Sequence, residues 1–335
     1  MLAPRETSVL FGHAAAEANF MQAMAAGRTH HAWLLTGPAG VGKATLAYRL
    51  ARRLLVPGDP NDPANPAFRR VAIGSHADLL SIERVFDTKT KKLKSSIAVE
   101  QTRGISAFMH LTAAEGGWRV IVVDGADDMN ANAANALLKI LEEPSRRGIL
   151  FLTADAPGRL LPTIRSRCRR LQLNPLDDGE MSTALAHLLP GMAPGERGRL
   201  AVIAEGSPGQ AVELAGEGAL AVSALVDAVL AEAVSAKANA KAGARIAVPR
   251  MHEVAERATK TDTGFATFMT LLQAGIGKGV RGAALAGFGT WGAARPLAEW
   301  GEVWHALGRL RDETERFNMD KRTAIIAGLE LLDRA

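Results

Sequence analysis

Two hydrophobic periods divide the chain. Between residues 32 and 173, short apolar runs alternate with stretches in which apolar residues recur every three or four positions. Ala32–Thr36 (AWLLT), Trp118–Asp124 (WRVIVVD) and Gly148–Thr153 (GILFLT) are nearly continuous apolar runs of strand length, as expected of strands buried on both faces. Arg169–Leu173 is a shorter strand pattern. Lys43–Leu55 and Asn130–Glu143 carry a helical period; in the second, Ala133, Ala134, Leu137, Leu138 and Leu141 share a face and Pro144 ends the helix. The run from Pro57 to Pro66 is saturated with helix breakers and reads as loop. Segments 79–85 and 96–100 read as strands flanking the basic stretch KTKKLK, which predicts a hairpin.

Strands that alternate with helices predict an α/β domain, its parallel sheet covered on both faces. Beyond Pro175 the pattern is helical, interrupted by glycine and proline at 190–195 and 206–209, and from Gly218 onward long Ala/Leu-rich stretches predict a helical bundle. The expected division is 1–173, 174–217 and 218–335.

Composition narrows the function classes. Of 335 residues, 47% are hydrophobic and 22% charged, which fits a globular chain and excludes a disordered one. No run reaches the roughly 20 apolar residues that cross a bilayer, and the first residues lack the apolar core of a signal peptide, so a cytoplasmic location is expected, with no membrane partner. The single cysteine, Cys168, excludes an internal disulfide and a multi-cysteine metal site; the eight histidines show no ligand spacing, and no metal is expected. The net charge of +5 is compatible with an anionic partner without selecting one.

The chemistry concentrates at three places. Gly37-Pro-Ala-Gly40-Val-Gly42-Lys43-Ala44-Thr45 has P-loop spacing between a strand and a helix. Its glycines let several N–H groups face one phosphate, the helix N-terminus adds a positive dipole, and Lys43 adds a point charge. The magnesium-holding hydroxyl belongs at the next position, which is Ala44; Thr45 lies about 100° further round the helix. Asp124 stands at a strand end where a metal-holding aspartate would sit, but Gly125 follows it instead of a water-polarising glutamate. Asp127 and Asp128 read as the acidic start of the next helix. The third place is Leu160–Cys168 (LLPTIRSRC), where Arg165, Arg167, Arg169 and Arg170 crowd into a basic turn able to fork onto phosphate oxygens.

ANALLKILEEPSRRGILFLTADAPGRLLPTIRSRC resembles the same region of AAA+ clamp-loader subunits. HHAWLLTGPAGVGKATLAYRLAR and TAAEGGWRVIVVDGAD resemble the bacterial delta-prime branch of that family, and the likeness covers about 30–174. The resemblance implies an AAA+ domain over 1–173, a helical lid over 174–217 and an oligomerising collar over 218–335. It also implies that Arg167 acts as a catalytic arginine finger in trans, on ATP held by a neighbouring subunit, with Ser166 and Cys168 positioning its loop. Thr153 or Asp155 would stand at the position that senses the γ-phosphate. Gly209, in Gly206-Ser-Pro-Gly209, replaces the arginine that ATP-using lids carry. Gly37, Gly40, Gly42, Lys43, Thr45 and Asp124 would then line a degenerate nucleotide site that requires no cofactor and at which ADP without magnesium remains open. The four-cysteine zinc module of many members is missing between Leu55 and Glu100, so no zinc is expected. Implied partners are tau/gamma and delta subunits, the sliding clamp through the complex, and primed DNA of the DNA polymerase III holoenzyme. Two rival readings are an active tau/gamma-like ATPase, which must accommodate Ala44, Gly125 and Gly209 together, and a nucleic-acid-binding module derived from an ATPase.

Overall fold

The structure, a computed structural model, describes residues 3–27, 29–87, 92–94, 96–115, 117–216, 218–238, 246–261, 263–280 and 297–334. The chain divides into two compact units, 1–191 with 204–210, and 192–203 with 211–335.

The first unit runs α1 (Ala14–Ala25), β1 (Ala32–Thr36), α2 (Lys43–Leu55), α3 (Pro66–Ala72), β2 (Leu79–Ile82), β3 (Phe86–Asp87), β4 (Lys92–Leu93), α4 (Val99–His110) and β5 (Arg119–Val123). A 3-10 turn (Ala126–Asp128) follows, then α5 (Ala131–Glu142), β6 (Gly148–Ala154), α6 (Pro162–Ser166), β7 (Arg169–Gln172) and α7 (Asp178–Leu188). Five strands form one sheet in the order β2-β5-β6-β1-β7, every pair parallel. The strict alternation of strand side chains builds two cores. Trp33, Leu35, Val120, Val122, Ile149 and Phe151 face one way, under α1, α2 and α3. Ala32, Leu34, Ile121, Val123, Leu150 and Leu152 face the other, under α4, α5 and α6. This double coverage explains why β1, β5 and β6 are buried at every position.

The predicted pairing of 79–85 with 96–100 is not what forms. Leu79–Ile82 joins the main sheet beside β5, and the only hairpin among the described residues pairs Phe86 with Leu93 and Asp87 with Lys92. Ile97 makes a single bridge to Met129, and Val99 already opens α4. Val99 begins a helix because Gln101 Oε1 accepts from the Ala98 N–H at 3.1 Å, and Ile105 and Met109, four apart, bury together against the sheet. Lys89 and Lys91 of the basic stretch lie outside the described residues. α5 starts where Asn130 caps it, its side chain accepting from the Ala133 N–H at 2.9 Å.

The second unit contains α8 (Pro194–Ile203), α10 (Ala219–Ala238), α11 (Val248–Ala258), α12 (Gly264–Val280), α13 (Leu297–Arg316) and α14 (Lys321–Arg334); α9 (Pro208–Gly216) is shared between the residues of both units. Phe265, Phe268, Met269 and Leu272 of α12 bury against Val226 and Leu230 of α10, Val254 of α11, Leu307 of α13, and Ile325 and Leu329 of α14. Each such fully buried side chain contributes about 1.5–3 kcal/mol. Among the described residues no single helix is long and apolar enough to cross a membrane.

Candidate functional site

The parallel register brings three strand ends to one edge of the sheet: Thr36 pairs with Ala154, and Val123 with Leu152. Each strand is followed there by a loop that carries polar groups. The loop after β1 turns into α2 at Gly42, whose φ is 112°. Lys43 heads α2 and is only 6% exposed, its ammonium folded back into the loop. Nζ donates to Gly37 O at 2.8 Å and Pro38 O at 2.6 Å, and pairs with Asp155 Oδ1 at 2.5 Å. An ammonium has three N–H bonds, and these three acceptors use them all.

Two further carbonyls of the loop are also engaged. His13 Nε2 donates to Val41 O at 2.9 Å, and the Gly209 N–H donates to Gly40 O at 2.9 Å. At Gly40, where φ is 72°, a Cβ would lie 2.6 Å from Gln210 N; at Gly209 one would lie 2.9 Å from Gly40 O. Two glycine backbones therefore touch here, at a distance that a side chain on either residue would prevent.

Asp124 leaves β5 half-buried, and Thr153 of β6 clasps it: the hydroxyl donates to Asp124 Oδ1 at 2.7 Å and accepts from the Gly125 N–H at 2.8 Å. Burial pushes the Asp124 carboxyl above the ordinary range; Thr153 opposes that rise, the charge on Asp155 adds to it, and Lys43 and Arg84 work against it. Gly125 has φ 80°, a left-handed backbone, and a Cβ there would come within 3.1 Å of Asp128 Oδ2. Asp127 and Asp128 enter the 3-10 turn rather than the next α-helix: Asp127 Oδ2 accepts from the Ala156 N–H at 2.6 Å, and Asp128 pairs with Arg84 at 3.2 Å. These residues suit a magnesium nucleotide poorly. Position 44 offers a methyl group, position 125 offers no carboxylate, and the three donors of Lys43 are taken.

Arg167 belongs to a separate cluster. Pro162 opens α6, Ile164 anchors it in the core, and Arg167 caps its C-terminal end. The guanidinium reaches Glu142 Oε1 at 3.0 Å and Thr163 O at 3.1 Å, with the side chain 35% exposed. Ser166 Oγ donates to the same Thr163 carbonyl at 3.1 Å. Cys168 packs half-buried against the core, and burial pushes its thiol up to about 12. Two of the neighbouring arginines are engaged inside the unit: Arg169 lies 4.8 Å over the Trp33 ring and donates to Asn19, and Arg170 bonds Thr36 and Gln172; Arg165 is exposed.

Residues 12–177 match the family described as DNA polymerase III, delta subunit. A DNA polymerase III subunit delta' of Pseudomonas aeruginosa is 40% identical over 192 residues, 56% of this chain and 56% of that protein. Over this segment the chain is similar to the delta and delta' subunits of DNA polymerase III. The delta' subunit of Escherichia coli is 35% identical over 153 residues, 45% of this chain and 44% of that one. The tau subunit of the same organism is 33% identical over 168 residues, 49% of this chain and 24% of that protein. The chain spans about half the length of the curated delta-prime relatives it matches.

Of the residues singled out in the sequence, the structure gathers Gly37, Gly40, Gly42 and Lys43 in one loop, with Asp155 on Lys43 and Asp124 joined to Thr153. Thr45 lies half-buried on the first turn of α2. Three contacts escaped sequence reasoning: His13 on the loop, Glu142 on Arg167, and Asp127 on Ala156. Each joins residues distant along the chain, and no local spacing announces such pairs.

Proposed function

We propose that this chain is a non-hydrolysing, delta-prime-type subunit of the DNA polymerase III clamp loader, and that it lends Arg167 to ATP bound on a neighbouring subunit. The observation that carries the reading is a contrast within one domain. Its own loop lacks the magnesium hydroxyl and the water-polarising carboxylate and has its lysine engaged, while Arg167 stands at a helix end, held by the half-exposed carboxylate of Glu142. An arginine finger stabilises charge on the transferring phosphoryl group, worth about 10³–10⁵ in rate in GTPases. The neighbour would be a tau/gamma-type ATPase, and the assembly, with delta, would set the sliding clamp on primed DNA. Residues 174–217 would serve as lid and 218–335 as collar; neither role calls for zinc or for nucleotide on this chain.

The test is ATP turnover by the reconstituted loader with clamp and primed DNA. Arg167→Ala slows turnover several-fold or more, while this chain alone turns over no ATP. Turnover by the isolated chain, or an assembly indifferent to Arg167→Ala, overturns the reading.

A further inference from the structure

We propose that Asp155 is a built-in phosphate surrogate: its carboxylate occupies the Lys43 ammonium and latches the loop against phosphate groups from solution. The inference rests on Gly37–Thr45 being a phosphate-type loop, and it is independent of Arg167.

The carboxylate is delivered by the sheet. Thr153 and Ala154 of β6 pair in register with Leu35 and Thr36 of β1, so the next residue on β6 emerges beside the loop that leaves β1. Asp155 is 56% exposed, yet its backbone is pinned on both sides. Before it, Thr153 is bonded to Asp124 and Gly125; after it, the Ala156 N–H is bonded to Asp127 Oδ2 at 2.6 Å. Both anchors belong to the exit of β5, so the turn is held on either side of the carboxylate. An anion bound to Lys43 uses the same charge complementarity that a phosphate oxygen would use, and Gly37 O and Pro38 O take the two remaining donors. An arriving phosphate has to displace one of these three acceptors, and Asp155 is the only charged one. The outward carbonyls of Gly40 and Val41 are tied to Gly209 and His13, which keeps the loop in shape while the latch is shut.

A latch favoured about ten to one over the open loop weakens apparent phosphate binding about tenfold. The test measures ADP and inorganic phosphate binding to the full chain by calorimetry, for wild type, Asp155→Asn and Asp155→Ala. Both variants are expected to bind about tenfold tighter than wild type, and adding Lys43→Met to Asp155→Ala is expected to abolish the gain. The unliganded melting temperature of each variant checks that it folds. Equal affinity in wild type and both variants overturns the latch while leaving the loop a phosphate site. Absence of binding in all of them overturns the latch and the phosphate character of the loop together. Neither result bears on the Arg167 assay.

Discussion

Replacing Thr153 with valine isolates the bond that joins the exits of β5 and β6. The substitution keeps the shape of a side chain only 2% exposed and removes one hydroxyl that makes two bonds. The Gly125 N–H and one oxygen of Asp124 lose their partner, at about 1–3 kcal/mol for each group left unsatisfied in a buried setting. Both residues are half-buried, so water recovers part of this, and the expected loss is about 2 kcal/mol for the pair. The loss depends on pH with a definite sign. Because burial raises the Asp124 carboxyl above its unfolded value, its charged form weakens the fold as pH climbs through its titration, and Thr153 offsets that penalty by bonding the charged form. Thr153→Val is therefore mildest in acid, with Asp124 protonated in both states, and most harmful at neutral pH. Native-state amide exchange on β5 and β6 reads this unit apart from the helical one. A loss below about 0.5 kcal/mol at neutral pH, or one equal in acid and at neutrality, refutes the reasoning.

Two further outcomes follow from the arginine cluster. Glu142→Ala removes an exposed ion pair worth at most about 1 kcal/mol, so stability hardly moves, while turnover of the reconstituted loader falls by less than with Arg167→Ala and is largely kept by Glu142→Gln; unchanged turnover in Glu142→Ala counts against its holding role. With its thiol pushed up to about 12, Cys168 presents on the order of a thousandfold less thiolate at neutral pH than a free cysteine near 8.5, and labelling by iodoacetamide as fast as a free thiol contradicts its packed environment.

The sheet was legible because strands buried on both faces must be apolar at every position, and few other elements of that length are. Ala32–Thr36 and Lys43–Leu55 have the limits expected of them, and β5 and β6 differ by a residue or two. The start of α4 was misread because Ile97 and Val99 carry strand propensity; Ile97 does make a bridge, while Val99 opens a helix through the return of Gln101 to Ala98 and the sheet that Ile105 and Met109 meet. The site divides in the same way. Loop spacing from Gly37 to Lys43 is a local signal. The pairing of Lys43 with Asp155 and of Arg167 with Glu142 depends on which strands and helices become neighbours, and that is decided by the whole fold.

The left-handed turn at Gly125 bears on redesign. A glutamate placed there by mutation would inherit a backbone that side chains resist, at about 1–2 kcal/mol, and its Cβ would lie 3.1 Å from the carboxylate that Arg84 holds. Installing an acid at this strand exit by a single substitution therefore strains the turn that presents it, and a well-tolerated version has to reshape residues 125–128 along with it.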